Sequence, residues 1–476
     1  MRMTDRTPPP PPADPKTPGW PWLRDRLRRH IPELLRLAWP VVIARVGIIT
    51  LQVVDTVMVG RFDSTELSYL AIANVPAQWL LVATLGLLIG TMVVASNAVG
   101  SDQPHRAGQA WRRSIPYALW LGVGVAVLCA FGTPFLRLTG QPADLVAGGG
   151  PLIAILGLGI GANLVFITSA LFLEGIRRPA VGMVVMVIGN LVNIAANWVL
   201  IYGNLGIPAL GAEGSAWATT LVRLVMAGSV VAYIWWLLPD RDRYAVRVKP
   251  RGGWRAWAQQ RRFGYAAGLS NAMESGAFAL VGLMAGWLGS LAVGAYAITF
   301  NILATSYMVA LGIASATAVR VGNAHGRQDT TDLALAGWIG LTVNTLLVGA
   351  IALVLQIVNT RIAQAYTVDP ALVIMAAPLI AFAATILIAD GGQSVMLHAL
   401  RGRGETWVPT LLHFVSYFAV QIPLAYLLAF PAGRGVQGLL EGILIASVIS
   451  LTALALRFRW LGRRDARAWD GRIAPT

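Results

Sequence analysis

Three carboxylic acids stand where acids are expensive. Asp55 lies inside the apolar stretch LAWPVVIARVGIITLQVVDTVMVG (37–60), Glu274 inside a run at 264–288, and Asp390 inside a run at 372–399. An acid at mid-bilayer without a partner costs about 2.5 to 3.5 kcal/mol on the insertion scale, so an acid that persists there is read first as an ion or proton site facing the protein interior. Asn193 and Asn197 are four apart, which places both amides on one helix face. On a membrane helix such a polar stripe belongs against other helices. Carboxylate and amide oxygens are hard ligands that suit Na⁺ and serve a proton equally well. The chemistry is therefore reversible capture of a small cation. Each charge that crosses the membrane is worth about 2.3 kcal/mol per 100 mV, enough for one or two ions to drive uphill transport.

Each group also has a structural alternative. Asp55 could be held by an intramembrane arginine. Arg45, ten residues earlier, is off its face, which leaves Arg223. The asparagines could be packing glue between helices. Glu174, Glu213 and Glu441 fall near the ends of apolar runs and read as interfacial.

Membrane-spanning helices must position these groups. The chain has 476 residues, 56% hydrophobic and 12% charged, with mean hydropathy +0.64. Soluble domains carry about 25% charged residues, so this is a polytopic membrane protein. Apolar runs recur at 33–59, 69–97, 114–135, 150–173, 179–201, 214–238, 264–288, 292–319, 333–358, 372–399, 407–429 and 436–457. These are twelve spans of helix-crossing length, continuous rather than alternating, which excludes a barrel. The net charge of +15 does not mark a nucleic-acid binder, because the basic residues sit in short loops and tails. With the amino terminus inside, only Arg61, Arg137, Arg361 and Arg434 fall in outside loops, a one-sided bias that makes both termini cytoplasmic.

The expected organisation is a disordered Pro/Arg-rich tail (1–32, with prolines at 8–12), a first lobe (33–238), a basic cytoplasmic linker (239–263), a second lobe (264–459) and a basic tail (460–476). One cysteine, Cys129, excludes an internal disulfide, and the five histidines lack ligand spacing. No glycine motif that would cradle a phosphate is present, so neither ATP-driven transport nor a membrane-embedded enzyme is expected, and no cofactor.

The lobes repeat each other. Leu85–Gly100 (LGLLIGTMVVASNAVG) aligns without gaps to Leu311–Gly326 (LGIASATAVRVGNAHG) at an offset of 226. Leu173 and Gly175 match Leu400 and Gly402, and Gly211 and Gly214 match Gly435 and Gly438. Six spans per half is even, so the halves run parallel and the substrate site is expected between them.

These motifs resemble the multidrug and toxic compound extrusion (MATE) family. VDTVMVGR with Pro40 fifteen residues before the acid is similar to its first span. Asn193, Asn197 and WVLIYG resemble its fifth, LSNAMESGAF its seventh, and ADGGQSVMLHALRGRGET its tenth. Acids in both halves resemble the NorM-like bacterial branch. The resemblance implies an all-α fold of twelve helices in two six-helix lobes around a V-shaped cleft, with a helix bend at Pro40. It implies export of organic cations and amphipathic toxins against inward Na⁺ or H⁺, from a bacterial inner membrane, by a monomer. It assigns Asp55, Glu274 and Asp390 to cation or proton coupling, Asn193 and Asn197 to a polar site in the first lobe, and Na⁺ to Glu274 and Asp390. Asn197 stands where some members carry a second acid. A flippase for a lipid-linked precursor is the alternative; it would call for cationic residues in the cleft, whereas the deep charges here are mainly acidic.

Overall fold

The computed structural model describes residues 20–250 and 252–470. Among the described residues the chain is helical without strands. The first half contains α1 (Trp20–Phe62), α2 (Ser64–Leu87), α3 (Gly90–Gly100), α4 (Pro104–Ala130), α5 (Gly132–Leu138), α6 (Ala143–Gly175), α7 (Ala180–Leu200) and α8 (Gly211–Ala232). The second contains α9 (Ala258–Trp287), α10 (Ser290–Gly326), α11 (Thr330–Tyr366), α12 (Pro370–Gly402), α13 (Trp407–Phe414), α14 (Ile422–Ala429) and α15 (Gly435–Asp470).

These make twelve spans. α2 and α3 form one span broken by a turn at 88–89, α13 and α14 form another joined by a π-turn (Val415–Gln421), and α5 is a short cap. Eleven candidate spans are apolar enough to cross a membrane by composition alone. The twelfth, α9, is 30 residues long but carries Arg261, Arg262 and Glu274 among small residues. It contacts α2, α3, α10 and α13, so its polar positions are served from inside the protein.

Local sequence explains where the helices start. Asp63 caps α2 by accepting from the Thr65 and Glu66 amides at 2.6 and 3.2 Å, which holds its carboxyl below the usual range. Asp369 caps α12 with Pro370 in its first turn. Three expected boundaries move. Residues 20–32, expected as disordered tail, are the first turns of α1, and the helix passes through Pro32 and Pro40 unbroken. The prolines at 8–12 lie outside the described residues. The linker expected to end at 263 is already helical from Ala258; there Arg261 stacks on the Trp254 and Trp257 rings at 3.8 and 4.6 Å, tying a basic residue to the bundle. α15 runs to Asp470, past the expected tail boundary at 460, because Arg403 pairs with Asp465 and Arg457 with Glu405.

Three cores fill the bundle. One runs through the first half and crosses into α10, α11, α12 and α15 near the end that carries both described termini. A second, from Val281 to Ile443, belongs to the second half alone. A small third joins Ile89 and Val93 of the first half to Phe263 and Ala267 of α9. The halves therefore share packing at the terminal end and are packed independently toward the other. α1 contacts α10 there, α2 contacts α9, and α3 contacts both α9 and α10.

The repeated stretches noted above meet each other in this contact. A Cβ added to Gly100 would stand 2.1 Å from the Asn323 carbonyl oxygen, and one added to Gly326 would stand 2.3 Å from that of Asn97. Gly100 and Gly326, like Asn97 and Asn323, are equivalent positions of the two halves. The duplicated motif thus clasps itself across the pseudo-twofold axis, and only glycine lets the backbones this close. The Asn97 amide also donates across the lobes to the Gly402 carbonyl at 2.8 Å.

Candidate functional site

In the first half, α1 and α7 bring the predicted residues together. The Asp55 Oδ1 accepts from Asn197 Nδ2 at 2.7 Å and from Asn193 Nδ2 at 3.0 Å. Its Oδ2 accepts from Thr219 Oγ1 on α8 at 2.9 Å. Asn197 also donates to Asn193 Oδ1 at 3.2 Å, which fixes the pair as one unit on the buried face of α7. Asp55, Asn193 and Asn197 are all buried. Every hydrogen-bond donor to this carboxylate is neutral. Arg223, the expected arginine alternative, acts on Asp55 only through its field, and its Nη1 donates to the Leu156 carbonyl at 3.1 Å. The Asn197 Oδ1 has no hydrogen-bond partner among the described residues and remains an acceptor beside the carboxylate.

In the second half, Asp390 is buried on α12. Its Oδ1 accepts from Gln393 Nε2 at 2.5 Å and from Ser447 Oγ of α15 at 3.4 Å. Gln393 Nε2 also donates to the Tyr417 hydroxyl at 2.8 Å. Glu274, half-buried on α9, lies within electrostatic reach of Asp390 and Arg401 and meets the Tyr417 hydroxyl. Arg401 is fully buried and makes a long contact, 3.5 Å, with Asn271 Oδ1 one turn before Glu274. Arg401 acts on Glu274 through its field, and Glu274 and Asp390 repel each other, so the three groups carry a formal excess of one negative charge, which a proton or monovalent cation would neutralise. Gln393 Oε1 is buried without a hydrogen-bond partner among the described residues. Among the described residues no group of three or more His, Cys, Asp and Glu side chains is placed to hold a metal ion. The oxygens beside Asp55 and Asp390 come instead from amides and hydroxyls, the donor set for a hard monovalent cation.

Sequence reasoning missed Thr219, Gln393, Ser447, Tyr417 and Arg401. Two carried a signal. Gln393 is three residues and Arg401 eleven residues beyond Asp390, so both return to its face of α12. Thr219 carried none, since its neighbour Thr220 looks identical in sequence yet bonds the Ile155 carbonyl. Glu174 corrects an expectation. It is buried rather than interfacial, hydrogen-bonded to Ser315 of the other half, and shares a recess with Arg45. Glu174 and Arg401 occupy the same place in the repeat, LEG against LRG, so one half carries an acid where the other carries a base.

Twelve helices in two repeated halves, each with a buried acid, define a multi-pass membrane protein of duplicated architecture. The MatE family model matches residues 40–199 and 266–427, two segments that begin 226 residues apart, the offset of the internal repeat. A "Probable multidrug resistance protein NorM" from Caulobacter vibrioides is 40% identical over 437 residues, covering 92% of this chain and 93% of that protein. The "Multidrug resistance protein NorM" of Photobacterium profundum is 29% identical over 451 residues, covering 91% and 96%. The chain belongs to the MATE family and to its NorM-like branch. Among solved structures, the eukaryotic MATE transporter AtDTX14 superposes with a TM-score of 0.83 at 18% identity, covering 93% of this chain and 99% of that one. A transporter of the MOP superfamily from Pyrococcus furiosus superposes with 0.82 at 20% identity, covering 91% and 96%.

Proposed function

We propose that this protein is a multidrug exporter that drives organic cations and other amphipathic compounds out of a bacterial cell by antiport with Na⁺ or H⁺. The observation that carries the proposal is a buried carboxylate in each half, beside a buried amide oxygen that has no hydrogen-bond partner among the described residues (Asn197 Oδ1 and Gln393 Oε1). A coupling cation bound there would complete the coordination that the protein leaves open. Asp55, Glu274 and Asp390 are the coupling acids, Asn193 and Asn197 orient Asp55, and Pro40 is the place where α1 bends. Na⁺ at Glu274 and Asp390 is the reading that the second-half oxygens favour.

In this reading the terminal end is cytoplasmic, the described arrangement is closed on that side, and substrate leaves through the opposite end. Lobe 1 is carried by α1 to α8 and lobe 2 by α9 to α15, joined by the segment between α8 and α9. The protein works as a monomer in the inner membrane. The arginines near the acid sites are engaged: Arg223 with a carbonyl, Arg401 with Asn271 and the field of Glu274, and Arg45 beside Glu174. Among the described residues that leaves no cluster of cations beside the acids for the pyrophosphate of a lipid-linked precursor, which speaks against the flippase alternative. The test is efflux of a fluorescent organic cation from proteoliposomes of the purified chain, with a Na⁺ or a pH gradient imposed separately. Export driven by one gradient and not by the other identifies the ion. No movement of several cations under either gradient would sink the exporter reading.

A further inference from the structure

Away from the acid sites, α1, the turn after α6, α10 and α11 converge at the terminal end on a recess of about 410 Å³ open to solvent. Four guanidiniums line it: Arg29, Arg177, Arg320 and Arg327. They face two carboxylates, Glu33 and Asp332, and the His30 ring. The pairs run around the rim and cross between the lobes. Arg177 meets Glu33 at 2.7 Å, Arg320 meets Glu33 at 3.7 Å, His30 Nε2 meets Asp332 at 3.2 Å, and Arg327 meets Asp332 at 3.3 Å.

The ring does not balance. Among the described residues, four cations stand against two anions when His30 is neutral. Arg320 is the telling member. It is 4% exposed, and although its Nη2 is engaged by His30, its Nη1 is buried with no hydrogen-bond partner among the described residues. A buried guanidinium N–H left unpaired is costly, and the cost is removed by an oxyanion. Arg29 sits exposed at the edge, with no ion pair among the described residues.

We propose that this recess is a binding site for a phosphate oxyanion that ties the two lobes together at the terminal end. Arginine forks match phosphate geometry, the excess of positive charge matches its charge, and the surplus of guanidiniums repels a cation. The phosphate comes from one of two sources. Basic pockets between membrane helices at the bilayer surface receive anionic lipid headgroups, and an open recess also admits free phosphate. Either bridges α1 and Arg177 of the first half to α10 and α11 of the second, and so favours the arrangement in which this end is closed.

The test uses the full chain in a neutral detergent. Saturable binding is followed by native mass spectrometry and by ligand-dependent thermal unfolding, with inorganic phosphate in one arm and phosphatidylglycerol against phosphatidylcholine in the other. The variant is the double substitution Arg29→Gln/Arg327→Gln at the exposed rim, chosen because it spares the buried Arg320. Charge-assisted contacts of this kind are each worth about tenfold in affinity. The expected result is saturable binding to wild type, weakened at least about tenfold in the rim variant, whose melting without ligand is unchanged. Phosphatidylglycerol retained in the presence of excess phosphate assigns the headgroup; phosphate that binds alone and displaces the lipid assigns the free anion. No saturable binding of either probe, equal binding by the rim variant, or equal retention of phosphatidylcholine would overturn the proposal.

Discussion

The two halves descend from one repeat, yet they hold their acids by different physics. Asp55 rests in a cage of neutral donors, two amides and a hydroxyl. Glu274 lies within the fields of both Asp390 and the Arg401 guanidinium. The first arrangement sets one carboxylate against the field of Arg223. The second sets two carboxylates that repel each other against the field of Arg401 on Glu274, and unbalanced charge is expensive away from water. The exchange of Glu174 for Arg401 at equivalent positions accounts for part of the difference: the base goes to the half that holds two acids, and the acid goes to the half where Arg45 lies nearby. Duplication supplied the frame, and side-chain exchange on it made two unlike sites.

The largest expected effect separates the sites most sharply. Arg401→Gln removes the positive field that offsets the repulsion between Glu274 and Asp390 and the contact with Asn271, and should cost about 1 to 3 kcal/mol of stability, the usual penalty for losing a hydrogen-bonded charged group. Asp55→Asn removes one carboxylate with no like-charged neighbour and leaves Arg223 bonded to the Leu156 carbonyl, so it should cost less. Thermal unfolding of the two purified variants checks this, and equal destabilisation would break the contrast drawn here.

The clasp at the terminal end should behave in the opposite way, because it is symmetric. Gly100→Leu and Gly326→Leu each push a side chain into a backbone carbonyl of the other lobe, an overpacking that costs about 1 to 3 kcal/mol. Both should shift the protein toward a state open at the terminal end, by similar amounts, read as longer distances between spin labels on α3 and α10. A shift from one substitution and none from the other would mean that the reciprocal contact is not what closes this end.

The smallest effect tests the neutral cage. Thr219→Val removes one hydrogen bond to Asp55 and should lower stability by about 1 kcal/mol, while Thr219→Ser should restore it. A valine variant indistinguishable from wild type in melting and in transport would remove Thr219 from the site.

Much of this was legible in the sequence because a membrane makes polarity conspicuous. Spans stand out as apolar runs, and Asp55, Glu274 and Asp390 stand out within them since each would be costly against lipid. The Asn193 and Asn197 pair declared a shared face through its spacing. The offset of 226 announced the duplication, although it did not show that the repeated motifs would meet each other at Gly100 and Gly326. What stayed hidden were partners from other helices. Thr219, Ser447 and Tyr417 are ordinary residues whose role depends on how α8, α15 and the π-turn pack against α1, α9 and α12. Glu174 was misplaced because nearness to the end of an apolar run was read as nearness to water. In the folded chain that end is covered by Ser315 from the opposite lobe. The boundaries at 32, 263 and 460 failed for a related reason: ion pairs and aromatic stacking extend helices past the point where hydropathy falls.

The central claim is that a small cation couples to transport through the buried acids of both halves. Its most direct test is gradient-driven efflux of an organic cation from proteoliposomes holding wild type, Asp55→Asn or Asp390→Asn, with equilibrium binding of the same compound measured in parallel. The account predicts that each asparagine variant still binds the compound within a few-fold of wild type but no longer follows the imposed Na⁺ or pH gradient. An asparagine variant that exports at the wild-type rate under the same gradient would contradict it, and would remove that half from the coupling mechanism.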